Sequence, residues 1–466
     1  MKSIIGVTEP FRRLRYYLAQ DTLSWLRPLL VIGVLLLSSV LVFVATPRQL
    51  TLYLSLLVGM GLVLISLRWP PLGLVIASLV GMVVPNLGPS GLNATVIMVA
   101  GLLGLWILQL VISRGQPRRA LSRPVWALLA FVVVAGLAFG VGQLPWFVFA
   151  PHAPLGAQLG GLSIVVLSAG TFLLAAYQVT ELRWLSRMTW AFLAFAALSV
   201  TARSVLPGLG LSTQDWFQPM GSLFLIWLVA MAFGQAAFNN HLHAGWRVAL
   251  GALVCLVLLF EFVFRFDFKS GWVPLFVCMG AMIGFRSTRG ALVVLALAAL
   301  SVPYALTQSI ASEAYSLSTR LEAWTILSQI IKTSPILGLG FANYYWYTPL
   351  FPIQGYAVSF NSHNNYVDIA AQTGLLGLAC FVWFFWEVGR LGWRLRKRVP
   401  AGFARAYVYG ALGGLVGMVV TAMLGDWVLP FFYNIGLNGF RSSMLGWLFL
   451  GGLVSLQQMD FQATRG

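Results

Sequence analysis

Only four histidines occur in the 466 residues, and one of them, His363, stands in Ser362-His363-Asn364-Asn365, where a polar stretch meets an apolar run. A group at a helix N-terminus feels the positive end of the backbone dipole, which disfavours imidazolium. Neutral imidazole is the form that takes a proton from a hydroxyl, so this residue type at this place suits a general base. The same free N–H groups could seat a phosphate, with Asn364 beside it. The plainer reading is a simple cap. Cations able to meet an anion there are sparse: Arg203 in the connection 202–218, Arg265 and Lys269 within 261–272, Arg320 within 309–364, and Arg441 in 425–441, which also carries Asp426. Each has a plainer reading too. Arg265 and Lys269 could snorkel to lipid headgroups, and Arg320 could pair with Glu322 in a weak surface contact.

The elements that must carry these residues are apolar. The chain is 59% hydrophobic and 9% charged, and runs of about 17–22 apolar residues recur, each long enough for a hydrocarbon core of about 30 Å. Such runs must be helical, because lipid offers the backbone no other hydrogen-bond partners. The expected fold is all-α, one polytopic domain over 1–466 with about 14 transmembrane helices (12–14). Spans are expected near 29–45, 50–67, 70–85, 93–112, 124–143, 159–179, 184–201, 219–238, 246–263, 271–285, 290–308, 365–388, 406–424 and 442–457. The first 27 residues are basic and broken, so no cleaved signal peptide is expected. Cys255, Cys278 and Cys380 all lie in apolar runs and suggest neither disulfide nor metal framework.

The net charge of +17 invites a nucleic-acid reading, but its distribution opposes one. With a cytoplasmic N-terminus, about 22 of the 29 Lys and Arg fall on the inner side, against about 5 of the 12 acids. The excess is a topology signal, and Arg286 and Arg289 belong to it. The connection 309–364 then lies outside. Within it, Thr319-x-x-Glu322 fits a capping box opening a helix, with Leu321, Trp324, Leu327 and Ile331 on its apolar face. Pro335 should end that helix, and Gly338-Leu339-Gly340 reads as a close-approach turn. The stretch 343–361 is rich in aromatic residues, which suits anchoring at a bilayer interface or stacking on sugars.

The order Arg320-x-x-x-Trp324, Pro335-x-x-Gly338-x-Gly340, Ser362-His363-Asn364-x-Tyr366 and Thr373-Gly374-x-x-Gly377 resembles the O-antigen ligase and polymerase superfamily of bacterial membrane glycosyltransferases. The block covers residues 319–378. Phe268-Lys269-Ser270-Gly271-Trp272 is similar to a second family element, although lysine stands where arginine is usual, so a bidentate contact becomes a point charge. The family's Asn-Pro-Asn turn is here Gln218-Pro219-Met220, and Arg203 is the candidate for the arginine that accompanies it.

The resemblance implies a GT-C-like membrane architecture with the large loop on the periplasmic or extracellular side of the bacterial cytoplasmic membrane. It implies glycan transfer from undecaprenyl pyrophosphate to an acceptor hydroxyl on a lipid, protein or glycan. His363 would be the base. Arg203, Lys269, Arg320, Asn364, Arg265, Asp426 and Arg441 would contact substrate, with no cofactor and no metal. Two alternatives stand beside this ligase-like reading: a polymerase of the same superfamily, and a transporter of glycan-lipid or a small anion. A transporter should show internal repeats or broken helices with polar residues at mid-membrane, and no convincing repeat is legible.

Overall fold

A computed structural model describes residues 65–66, 68–88, 91–112, 121–206 and 220–459, together with Ile32, Gly61 and Phe217. The chain divides into two units, 1–64 and 65–466. In the first, only Ile32 and Gly61 are described, both helical. The expected spans 29–45 and 50–67 therefore lie almost wholly outside the described residues. Everything below concerns the second unit.

That unit is built of helices, and among the described residues no strand occurs. In chain order they are α1 (Pro70–Val83), α2 (Ala94–Ile112), α3 (Arg123–Val141), α4 (Leu155–Gln178), α5 (Leu182–Val205), α6 (Ser222–Phe238) and α7 (Ala244–Leu259). After them come α8 (Lys269–Arg286), α9 (Thr288–Ile331), α10 (Asn343–Tyr347), α11 (Asn365–Arg398), α12 (Phe403–Leu424) and α13 (Gly436–Gln458). Each span expected from 70–85 to 442–457 falls on one of these helices. Among the described residues, seven helices are long and apolar enough to cross a membrane. The protein is an all-α, multi-pass membrane protein.

The bundle packs by close approach of small residues. A Cβ on Gly234 of α6 would come within 2.9 Å of the Ala406 carbonyl of α12, and one on Gly410 would meet the Ala230 carbonyl at 2.9 Å. Packing of this kind replaces the hydrophobic drive that lipid cannot supply between helices. The largest interfaces join α13 to α4, α12 to α6 and to α8, and α11 to α3. Trp227 and Trp447 are fully buried at the centre, where Trp227 stacks on Phe449 and Trp447 on Phe384.

Two expectations for the long connection are corrected. Helix α9 runs unbroken for 44 residues, so no capping box opens at Thr319. The Thr319 hydroxyl bonds back to the Tyr315 carbonyl at 2.8 Å, and the Glu322 carboxylate accepts from Gln354. A mid-helix N–H already has its carbonyl partner, so within a continuous helix the local capping signal at Thr319 has no free N–H to satisfy. The buried face is also rotated: Ala323, Ile326, Leu327 and Ile330 are buried, whereas Leu321 is exposed. At 1.5 Å per residue α9 is about 66 Å long, roughly twice a hydrocarbon core. Its C-terminal part therefore stands beyond any membrane that its first part crosses. There it builds a second core with Leu339, Tyr344, Tyr347, Ile353, Ala371 and Phe431. Helix α9 ends at Ile331, just before the proline expected to stop it.

Candidate functional site

The site lies at the end of the bundle where α5, α7, α9 and α12 finish and α6, α8, α11 and α13 begin. Its floor is a backbone interlock between two glycine-bearing stretches. Helix α11 is broken at Gly374, with φ of +70°, so the carbonyls of Ala371 and Gln372 lose their partners within the helix. Leu339 and Gly340 supply N–H groups to them at 2.9 and 3.1 Å. In return the N–H groups of Leu375 and Leu376 donate to the carbonyls of Pro335 and Ile336, at 2.8 and 3.2 Å. Gly338 and Gly340 both have positive φ, and a Cβ on Gly338 would meet the Gly374 nitrogen at 2.5 Å. The Pro-x-x-Gly-x-Gly and Thr-Gly segments are thus two halves of one joint, and their glycines serve backbone geometry.

Above that joint, Asn364 caps α11, its Oδ1 accepting from the N–H groups of Tyr366 and Val367 at 2.9 and 3.5 Å. Its side chain, one of the expected substrate contacts, is buried and engaged in the cap. His363 precedes it with φ of +48° and keeps an exposed edge. Ser362 is fully buried on the other side. Its main-chain oxygen accepts from Trp324 Nε1 at 2.8 Å, and its hydroxyl faces Asp368 Oδ1 at 2.6 Å. Tyr344 donates to the same Asp368 oxygen.

Asn365 draws the 425–435 connection against this helix start. Its Oδ1 accepts from the N–H groups of Val428 and Leu429 at 2.8 and 3.3 Å, and its Nδ2 donates to the Leu429 carbonyl at 2.7 Å. Asp426 is held there, buried, accepting from the Phe431 N–H at 3.0 Å and from Asn434 Nδ2 at 2.8 Å. Arg320 reaches in from α9, its Nη1 at 3.5 Å from the Leu424 carbonyl.

Two groups from other elements, Asp426 and Arg320, therefore act on His363. Protein around His363 pulls its imidazole below the ordinary histidine value. The Asp426 carboxylate acts the other way, and the Arg320 charge adds to the lowering. The net direction favours neutral imidazole at neutral pH. Burial pushes the Asp426 carboxyl up, while its hydrogen bonds and His363 pull it down.

A second group of charges lies alongside. The helical path of α7 widens into a π-turn at Phe260–Phe264, a distortion common at functional sites. It buries Glu261, which accepts from Arg265 Nη1 at 3.0 Å. Arg203, in the last turn of α5, is within electrostatic reach of both. The Arg265 guanidinium also lies over the Phe268 ring, 4.6 Å from its centroid, and Lys269 is half-buried at the start of α8. Phe268 packs edge-on against Trp427 at 5.9 Å. Residues 426 and 427 thus touch both groups, Asp426 facing His363 and Trp427 facing the arginine and lysine elements.

The structure brings His363, Arg320 and Asp426 together, and gathers Arg203 and Arg265 around Glu261. Arg441 sits elsewhere: it is buried, bonded to Asn86 Oδ1, with Nη1 at 3.5 Å from the Gly81 carbonyl. It ties α13 to the end of α1 and is not among the charges acting on His363. Sequence reasoning missed Asp368 and Tyr344. An acidic residue in the first turn of α11, a preferred place for one, was the available signal. Among the described residues, no group of three or more His, Cys, Asp or Glu could hold a metal ion.

Residues 218–382 match the family model described as O-antigen ligase. The match includes Lys269, Arg320, His363 and the glycine joint, and it supports the resemblance to the O-antigen ligase and polymerase superfamily. A comparison with curated proteins gave no match.

Proposed function

We propose, from the premise of a glycosyltransferase of the O-antigen ligase and polymerase superfamily, that this protein moves a glycan from undecaprenyl pyrophosphate to an acceptor hydroxyl at the outer face of the bacterial cytoplasmic membrane. The observation that carries this reading is an exposed His363, kept neutral by its surroundings, between Arg320 and the buried Asp426.

In the transfer, His363 takes the proton of the acceptor hydroxyl as its oxygen attacks the anomeric carbon. A new carbon–oxygen bond forms there while the bond from that carbon to the pyrophosphate oxygen breaks. The electron pair leaves with undecaprenyl pyrophosphate. Asp426 then stabilises the imidazolium until the proton is released to solvent. Arg320, Arg203, Arg265 and Lys269 supply the positive charge that the departing pyrophosphate needs, and Glu261 keeps two of these cations adjacent despite their repulsion. Aromatic side chains beside the site, among them Tyr345 stacked on Tyr433, offer faces for sugar rings.

His363→Ala is expected to abolish transfer from a lipid-pyrophosphate glycan donor in detergent, by about 10²-fold or more, with the folded protein still recovered. A variant that transfers at the wild-type rate would sink the base assignment. A polymerase would use the same base and cations on a different acceptor. Mass spectrometry of envelope glycans from cells lacking the gene separates the two: unattached full-length chains indicate a ligase, and loss of long chains a polymerase.

A further inference from the structure

We infer that Asp368 is a positioning residue for the transfer, a buried clamp that aims His363 by fixing the Ser362–Asn364 turn. The inference rests on His363 being the base. Asp368 lies one turn inside α11, only 1% exposed, beneath the turn and away from the open edge of the imidazole.

Its carboxyl joins that turn to α10. The Ser362 oxygen accepts from the Asn364 N–H at 2.9 Å, which leaves the hydroxyl proton for the Asp368 carboxyl at 2.6 Å or the Asn364 carbonyl at 2.8 Å. Tyr344 of α10 donates to the same carboxyl oxygen and braces it from behind. On the opposite side the Ser362 carbonyl is held by Trp324 of α9, one helical turn beyond Arg320. Ser362 is therefore gripped by its side chain from α11 and by its backbone from α9, with His363 as the next residue.

His363 needs such a grip because its φ of +48° is a conformation that side chains bearing a Cβ seldom adopt. Strained backbone persists only where the surroundings over-determine it. Without the carboxyl, Ser362 loses its anchor, and the turn can relax toward negative φ. The imidazole would then swing away from Asp426 and Arg320. A displacement of about 1 Å is enough to cost on the order of 10²-fold in rate.

The test uses the full-length protein in detergent, with Asp368→Ala, Asp368→Asn and Tyr344→Phe assayed for kcat and donor KM. In parallel, the rate at which diethyl pyrocarbonate modifies His363 without substrate is followed by peptide mass spectrometry. Asp368→Ala should lower kcat by about 10²-fold, leave donor KM within about twofold, and change the His363 modification rate. Asp368→Asn should recover most of the kcat, since an amide oxygen still accepts from Ser362, and Tyr344→Phe should give a smaller loss.

A folded Asp368→Ala with unchanged kcat and unchanged His363 reactivity overturns the inference, as does an Asp368→Asn no better than Asp368→Ala. If Asp368→Ala fails to fold, Ser362→Ala and Tyr344→Phe decide, because each removes one hydroxyl; wild-type kcat and His363 reactivity in both would overturn the clamp. An active His363→Ala overturns the base assignment and the clamp's catalytic consequence with it. An inactive His363→Ala beside an unaffected Asp368→Ala overturns this inference alone.

Discussion

His363 is set by opposed influences, and this gives its titration a definite sign. Burial and Arg320 lower its pKa from an ordinary value of 6.5, and Asp426 raises it. A base with a lowered pKa stays neutral, and therefore competent, across neutral pH; transfer should fail only on acidification below that lowered value. Removing the Asp426 charge takes away the raising influence. The acid limb of the Asp426→Asn pH–rate profile is thus expected at lower pH than in wild type. Removing the Arg320 charge takes away a lowering influence, so Arg320→Ala should move the limb up, toward 6.5. Limbs that move together in the two variants, measured as log kcat against pH, would contradict this arrangement. The opposed directions also separate a charge effect from a general loss of fold, which would lower the rate at every pH alike.

At the scale of elements, the decisive features are one very long helix and one deliberately broken one. Helix α9 carries Arg320 and Trp324 out to the site because it continues as one helix from Thr288 to Ile331, across Pro303. Helix α11 breaks at Gly374, and the exposed carbonyls and N–H groups of the break are satisfied by the 335–340 turn. A break of this kind is tolerated in a membrane protein only where neighbouring protein restores the lost hydrogen bonds. Alanine at Gly374 would overlap the Ile336 carbonyl and would face a left-handed backbone that costs about 1–2 kcal/mol for a residue with a Cβ. Gly374→Ala is therefore expected to lower the melting temperature in detergent by several degrees, with His363→Ala melting near wild type. An unchanged melting temperature for Gly374→Ala would mean that the joint tolerates rearrangement.

At the scale of the whole molecule, the bundle makes two charged groups neighbours by routing both through residues 426 and 427. The His363 group depends on α9, α11 and the 425–435 connection, whereas the Glu261 group depends on α5, α7 and α8. This division predicts separable kinetics. Lys269→Ala should raise donor KM by about tenfold, equivalent to about 1.4 kcal/mol, while Lys269→Arg should keep or improve it, because a guanidinium can grip a phosphate with two hydrogen bonds. Steady-state kinetics with the lipid-pyrophosphate donor distinguish the cases. Donor KM unchanged in Lys269→Ala would identify that lysine as a headgroup anchor.

The amino-acid sequence by itself determined the class of fold and the approximate place of each described helix on which a span was expected from 70–85 onward, but not the short α10 or the continuity of α9. It could do so because a lipid-soluble segment must satisfy its own backbone, which makes span length and apolarity local properties. It also marked Arg320, Trp324, the glycines and His363 as one block, through a resemblance carried by motif order. Which charges meet was decided only by the tertiary structure. Arg320 finds His363 and not Glu322; Arg441 is drawn to Asn86; Asn364 is occupied as a cap; and Asp368, one acid among twelve, comes to lie beneath Ser362. Those pairings depend on how far α9 extends, where α11 breaks and how the 425–435 connection folds back. Each is settled by contacts between residues distant in the chain, which no local pattern of residue types records.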